Sequence, residues 1–227
     1  MARFDLDKYS TEAAGVVTHV GSNVTCFKPG DKVFGMIPGN MGNQLRSPAS
    51  LISEIPIGMS AEGAASMPVA YLTSIYALGH LARLEKGESI LVQSATGGLG
   101  MAAIQVAQHL GAEVYATVGN DDKRSVLVEK FGISPTRIFN SRRLSAVDEI
   151  LQANDRKGMD VILCSSAGDL MHETWRCIAP LGRFIDVGRT DVLGGGRLEL
   201  GVFKRNATFS SFDLGLIYRQ KPSLISK

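Results

Sequence analysis

The residues that could do chemistry are densest between positions 90 and 124, ILVQSATGGLGMAAIQVAQHLGAEVYATVGNDDKR. At the centre, Ala95-Thr96-Gly97-Gly98-Leu99-Gly100 follows an apolar run fit for a strand and opens a run fit for a helix. A glycine turn in that setting binds phosphate, because helix N-terminal amides and the helix dipole face the anion. The GxGxxG pattern is kept at its second and third glycines: Gly97 lets the backbone approach a pyrophosphate, and Gly100 lets the helix close on the strand. Ala95 stands where the first glycine is expected, a substitution the turn tolerates while φ stays negative. The competing reading is a tight connection in any α/β protein. The strand–turn–helix–strand context favours a dinucleotide site.

The end of the next strand bears on which dinucleotide. A site for NAD places an acid there, to bind both ribose hydroxyls. Here EVYATV ends in Gly119-Asn120, and Asp121-Asp122 fall where capping or first-turn residues of the next helix belong. Lys123 or Arg124, with Arg142 after the third strand, could meet a 2′-phosphate; otherwise these cations are a solvated helix end. The pattern favours NADPH.

These residues need a scaffold, and hydrophobic periodicity supplies one. Strands are expected at 89–93, 113–118, 137–139, 159–164, 183–187 and around 207–211, and helices at 98–110, 122–131, 144–154 and 170–179. Leu99, Ala103, Val106, Ala107 and Leu110 share one helix face, and Gly111 is a natural C-terminal cap. Alternating strands and helices with short turns imply a doubly wound parallel sheet. Before residue 85 come β-like runs at 13–21, 31–37 and 49–56, punctuated by Lys28-Pro29-Gly30 and PGNMGNQ, as in a small barrel or sandwich. Residues 60–82 read as helix in two pieces divided by Pro68, with Ser60 and Glu62 marking the start. The expected domains are therefore 1–84 and 85–227.

Bulk properties narrow the class. With 44% hydrophobic and 20% charged residues in 227, the chain has a soluble globular composition and length enough for a real core. A net charge of +2 without a basic stripe argues against nucleic acid or an anionic membrane as partner. Cys26, Cys164 and Cys177 lack metal or disulfide spacing, as in a reducing compartment. No signal peptide and no run of about 18 apolar residues is visible. A cytoplasmic protein is expected.

The segments EAAGVVTHVGSNVTCFKPGDKVFG, MPVAYLTSIYAL, SATGGLGMAAIQVAQHLGAEVYATVG and APLGRFIDVGRTD together resemble the medium-chain dehydrogenase/reductase superfamily. They look most like the enoyl-reductase domain of fungal highly reducing polyketide synthases, over 12–227. That resemblance implies part of a GroES-like barrel before the Rossmann domain. It also implies NADPH-dependent reduction of an α,β-unsaturated thioester on an acyl carrier protein, alongside other synthase domains. It implies a homodimer through the last Rossmann strand (206–212), further strands before Glu12 and a return segment beyond Lys227. Zinc-dependent relatives carry Gly-His-Glu where this chain has Ser10-Thr11-Glu12, and no convincing set of His, Cys or carboxylate ligands can be assembled. No metal is expected, and the four histidines read as surface or core residues.

The resemblance also assigns residues. Two positions carry proposed proton donors, a lysine after the fifth strand and an aspartate after the sixth; here they hold Arg189, in DVGRTD, and Asp213. Arginine stays protonated and donates a proton poorly, but it can stabilise an enolate or bind phosphate. A salt-bridged loop is the alternative role for both. Thr73, Ser165 and Gly188 fall at positions that line the cofactor, with Gly97, Gly98, Asn120, Lys123 and Arg142. Cys164, where the family has an asparagine, reads as a small buried residue ending a strand. Two other readings stay open: a stand-alone zinc-independent quinone or enal reductase, and a non-catalytic NADPH-binding module.

Overall fold

A computed structural model describes residues 11–37, 39, 42–143 and 145–226. Ser10 and Leu144, the first residue of the expected 144–154 helix, lie outside the described residues. The chain divides into two compact units, one of residues 1–72 and 214–227 and the other of 73–213. These limits differ from the expected break at 84/85 in physical detail: Ala77, Leu78, Ala82 and Leu84 are buried in the core of the second unit.

The first unit holds a three-stranded antiparallel sheet in the order β1-β2-β3. Its strands are β1 (Ala13–Val16), β2 (Lys32–Gly35) and β3 (Ile52–Glu54). They are shorter than the β-like runs suggested, and Ala49–Leu51 forms a 3₁₀ turn instead of opening the third strand. Two helices follow, α1 (Ala61–Ala65) and α2 (Pro68–Ile75). Ser60 caps α1 as expected, its hydroxyl accepting from the Gly63 N–H at 3.1 Å. Pro68 sits at the first position of α2, where a missing N–H costs nothing. Beyond α2, Tyr76–Leu81 widens into a π-helical turn.

The second unit is a six-stranded sheet in the order β6-β5-β4-β7-β8-β9, parallel throughout. The strands are β4 (Ser89–Val92), β5 (Glu113–Val118), β6 (Ile138–Asn140), β7 (Met159–Cys164), β8 (Ile178–Asp186) and β9 (Thr208–Ser211). The intervening helices are α3 (Gly98–His109), α4 (Asp121–Phe131), α5 (Ala146–Ala153), α6 (Asp169–Arg176) and α7 (Thr190–Leu193). This order is the doubly wound dinucleotide-binding arrangement, whose ligand crevice opens where strand order reverses, between β4 and β7.

Period-two alternation explains the two cores. Ile90, Val92, Ala116, Val161, Leu163 and Ile185 face one layer, with Ala103, Ile104 and Ala107 of α3 and Leu127 of α4. Leu91, Tyr115, Ile162, Cys164 and Phe184 face the other, with Ile150 of α5 and Met171 and Trp175 of α6. Ile104 belongs to the buried face of α3, which the expected set omitted. Gly111 does end α3: at φ 79° its N–H reaches the Gln108 carbonyl and that of Ala112 the Ala107 carbonyl, both at 3.0 Å.

One boundary moves. The expected helix 170–179 stops at Arg176, and β8 begins at Ile178 rather than 183. Pro180 biases Ala179 away from helix, and Ile178 pairs with Met159 of β7. A short apolar run before a proline fits strand or helix by periodicity alone. Arg183 of β8 then forms a bidentate ion pair with Glu88 at 2.9 and 2.5 Å and donates to the Ala82 carbonyl at 2.7 Å.

Candidate functional site

The glycine turn lies at the carboxyl end of β4, beside the reversal of strand order. Gly100 is glycine for a steric reason: a β-carbon there would stand 2.6 Å from the Ser94 carbonyl oxygen and 2.7 Å from Ala95 Cα. Gly97 is less constrained, with its nearest neighbour the Ser94 carbonyl at 3.3 Å, and Gly98 faces open space. Gly97 is the N-cap of α3 and brings no side chain, so it leaves the first-turn amides open to an anion. Ala95 is fully buried and keeps an ordinary backbone; the left-handed residue of the turn is Ser94, at φ 50°. Thr96 and Leu99 are half-buried.

Across the crevice is the turn after β7. Cys164 ends the strand with its side chain buried, and burial pushes its thiol up to about 12. The Ser165 hydroxyl donates to the Ser94 hydroxyl at 2.9 Å, bridging the two turns. Gly188, after β8, packs against the same segment, and a β-carbon there would meet the Ser165 carbonyl oxygen at 3.0 Å. Ser165 and Gly188 are thus brought together with the glycine turn. Thr73 lies half-buried on α2.

At the end of β5 the cap of α4 is Asn120, whose Oδ1 accepts from the Lys123 N–H at 3.0 Å. The aspartates that could have capped occupy only its first turn. Arg124 points its guanidinium to the Pro135 carbonyl, whereas Lys123 is exposed on the first turn. Arg142 lies across Gly119: a β-carbon at Gly119 would be 3.4 Å from its Nε and 3.6 Å from its Nη2. Its loop is fixed by Asn140, whose Oδ1 accepts from the Arg142 N–H at 2.9 Å. A guanidinium therefore occupies the neighbourhood where an NAD site keeps an acid.

Beyond β8 and β9, Arg189 and Asp213 form an ion pair, Nη1 to Oδ2 at 2.5 Å, both part-buried. Periodicity gave no signal for what holds them. Asp186, buried at the end of β8, accepts from the N–H groups of Gly188 and Arg189 at 3.1 Å each and from the Ser211 hydroxyl at 3.3 Å. Those bonds keep Arg189 left-handed, at φ 57°.

The comparisons with known proteins agree with this geometry. A family model described as zinc-binding dehydrogenase matches residues 98–221. The chain is 45% identical over 222 residues to highly reducing polyketide synthase xilA of Penicillium crustosum, covering 98% of this chain and 9% of that protein. It is 43% identical over 214 residues to prosolanapyrone synthase of Alternaria solani, covering 94% and 8%. The chain thus spans about a tenth of the length of these curated relatives. Among solved structures, CurK enoyl reductase superposes with a TM-score of 0.84 at 32% identity, over 95% of this chain and 63% of that one. The nucleotide-binding subdomain of the enoylreductase domain of PpsC from Mycobacterium tuberculosis gives 0.64 at 40%, over 69% and 86%. The class is a zinc-binding-dehydrogenase-type oxidoreductase fold, and within it this chain belongs to the enoyl-reductase domains of polyketide synthases.

The residues do not fit the zinc in the family's description. Among the described residues no group of three or more His, Cys, Asp or Glu converges. Thr11 stands at the histidine position, and Glu12 beside it accepts from the Val69 N–H at 2.8 Å. No zinc-dependent step follows. Among the described residues no helix is long and apolar enough to cross a membrane.

Proposed function

We propose that this chain uses NADPH to reduce the α,β double bond of an enoyl thioester carried on an acyl carrier protein. It would act as a reductase unit beside other polyketide-synthase domains in the cytoplasm. The observation that carries the cofactor choice is the Arg142 guanidinium against Gly119, which offers positive charge to a 2′-phosphate and no acid to the ribose. Lys123 adds a second exposed cation from the first turn of α4. The turn 95–100 would hold the pyrophosphate, with Thr73, Ser165 and Gly188 towards the nicotinamide.

A bound NADPH would supply the hydride for the β-carbon. The protein's part is to orient the thioester and stabilise the negative charge that develops on its oxygen. Arg189 is the residue proposed for that charge, held by Asp213. The proposed dimer contact is the β9 edge.

Absorbance at 340 nm tests the reading with three mixtures: NADPH with crotonyl thioester, NADPH with a simple quinone, and NADH with crotonyl thioester. Turnover of the thioester with NADPH supports it. Turnover of the quinone alone would make the chain a quinone or enal reductase, and binding without turnover a cofactor-binding module. Equal affinity for NADH and NADPH would overturn the role given to Arg142.

A further inference from the structure

We infer that Gln93 is a positioning residue for the cofactor crevice: its side chain sets the turn after β7 at the height where a dinucleotide can lie across it. The inference rests on the reading that a nicotinamide cofactor binds between the ends of β4 and β7.

Gln93 is the first residue after β4 and is 6% exposed. A buried glutamine must satisfy two donors and an acceptor, so its neighbours define its task. Its Oε1 accepts from the backbone N–H groups of Ser165 at 3.2 Å and Ser166 at 3.1 Å. Its Nε2 donates to the Thr174 hydroxyl on α6 at 3.1 Å. That hydroxyl donates in turn to the Leu170 carbonyl at 2.6 Å, so it has only lone pairs to offer Gln93. The amide orientation is therefore set by chemistry, since the reverse would face an NH2 group to two N–H donors.

The grip is two-sided. Ser94 is left-handed at φ 50°, which breaks strand alternation and lets two consecutive side chains serve one turn. Gln93 holds the backbone of Ser165 and Ser166, and the Ser94 hydroxyl takes the Ser165 side chain at 2.9 Å. Gly188 closes on Ser165 from the β8 side, so a shift of this turn would alter the far wall of the crevice. Neither a leucine nor a lysine at position 93 could supply the acceptor that the two N–H groups need.

The test compares three variants of the full chain by titration of NADPH against intrinsic fluorescence, with thermal unfolding measured in parallel. Gln93→Leu removes the acceptor and should raise the NADPH Kd by about tenfold or more. Gln93→Glu keeps an acceptor oxygen towards Ser165 and Ser166 and should recover most of that affinity, although its carboxylate lowers Tm. Ser94→Ala loses only the hydroxyl bridge, keeps the fold, and should weaken NADPH by a few-fold. A merely structural glutamine predicts the opposite pattern, affinity following Tm across the set. If Gln93→Leu does not fold, Gln93→Glu and Ser94→Ala decide: wild-type affinity in Ser94→Ala or a tenfold loss in Gln93→Glu overturns the inference. Wild-type NADPH affinity in a folded Gln93→Leu also overturns it and leaves the cofactor reading intact. A wild-type chain that binds neither NADPH nor NADH sinks both.

Discussion

Replacing Arg142 with alanine tests the proposed preference for NADPH directly. The Arg142 guanidinium rests against Gly119, with Nε and Nη2 within 3.4 and 3.6 Å of the position a β-carbon would take. At ~4 Å and an effective dielectric of ~20, a guanidinium and one phosphate charge attract by about 4 kcal/mol. Arg142 is exposed, so screening and desolvation reduce this to the roughly 1.5–3 kcal/mol typical of a hydrogen bond to a charged group. At ~1.4 kcal/mol per factor of ten, Arg142→Ala should weaken NADPH by about 10- to 150-fold. NADH lacks the 2′-phosphate and should bind the variant as it binds the wild type. Added salt should weaken NADPH less in the variant than in the wild type, because one ionic contact is gone. The assay is fluorescence titration of both cofactors at two ionic strengths. An equal loss for NADPH and NADH would mean that Arg142 only shapes the loop, and no loss for either would remove it from the site.

Three further outcomes are expected. Gly100→Ala pushes a methyl into backbone atoms of Ser94 and Ala95, so it should cost about 1–3 kcal/mol, lower Tm by roughly 2–12 °C and abolish cofactor binding. Gly98→Ala, with open space around it, should leave Tm nearly unchanged. Arg189→Ala should lower kcat on crotonyl thioester by about 10²-fold or more with the NADPH Kd retained; a rise in Kd instead would assign Arg189 to a cofactor phosphate. Cys26 is exposed and should react with a disulfide reagent in the native protein, while Cys164 and Cys177, both pushed up to about 12 by burial, should react only on unfolding. Because the unfolded thiols ionise near the ordinary cysteine value of 9.0 and the native ones do not, stability should fall as pH rises from about 9 towards 12, and denaturant midpoints across that range check the sign.

The Rossmann unit was legible because its central strands β4, β5 and β7 are almost wholly buried and read as apolar runs, each followed by a turn and a helix. The first unit was less so, since its strands are only three or four residues long and half-exposed, and such runs resemble loops with apolar residues. At the site, residues whose role is steric or local could be read: Gly100 against Ser94, and Asp121 and Asp122 in a first turn. Those acting through distant partners could not. Gln93 reads as a strand end, and its partners lie 72, 73 and 81 positions away. Asp186 reads as one more polar residue after an apolar run, and its meaning depends on Ser211 in the next strand. No periodicity encodes a contact of that range; only the sheet order does.

The same sheet order explains how Arg189 comes to face Asp213 beyond the carboxyl ends of β8 and β9. β8 and β9 pair in parallel with Asp186 opposite Ser211, so the residues just beyond each strand emerge side by side. Arg189 would not adopt φ 57° unaided, since a left-handed non-glycine residue costs of order 1–3 kcal/mol. Asp186 offsets that cost by accepting the two N–H groups of the turn, and Ser211 keeps its second oxygen occupied. The side chain is thereby aimed at Asp213 rather than at solvent. In the proposed role the Arg189 guanidinium would stabilise a developing oxyanion through its N–H donors, without having to give up a proton. The fold therefore accommodates arginine at this position through its backbone turn, with Asp186 holding the turn and Asp213 the guanidinium.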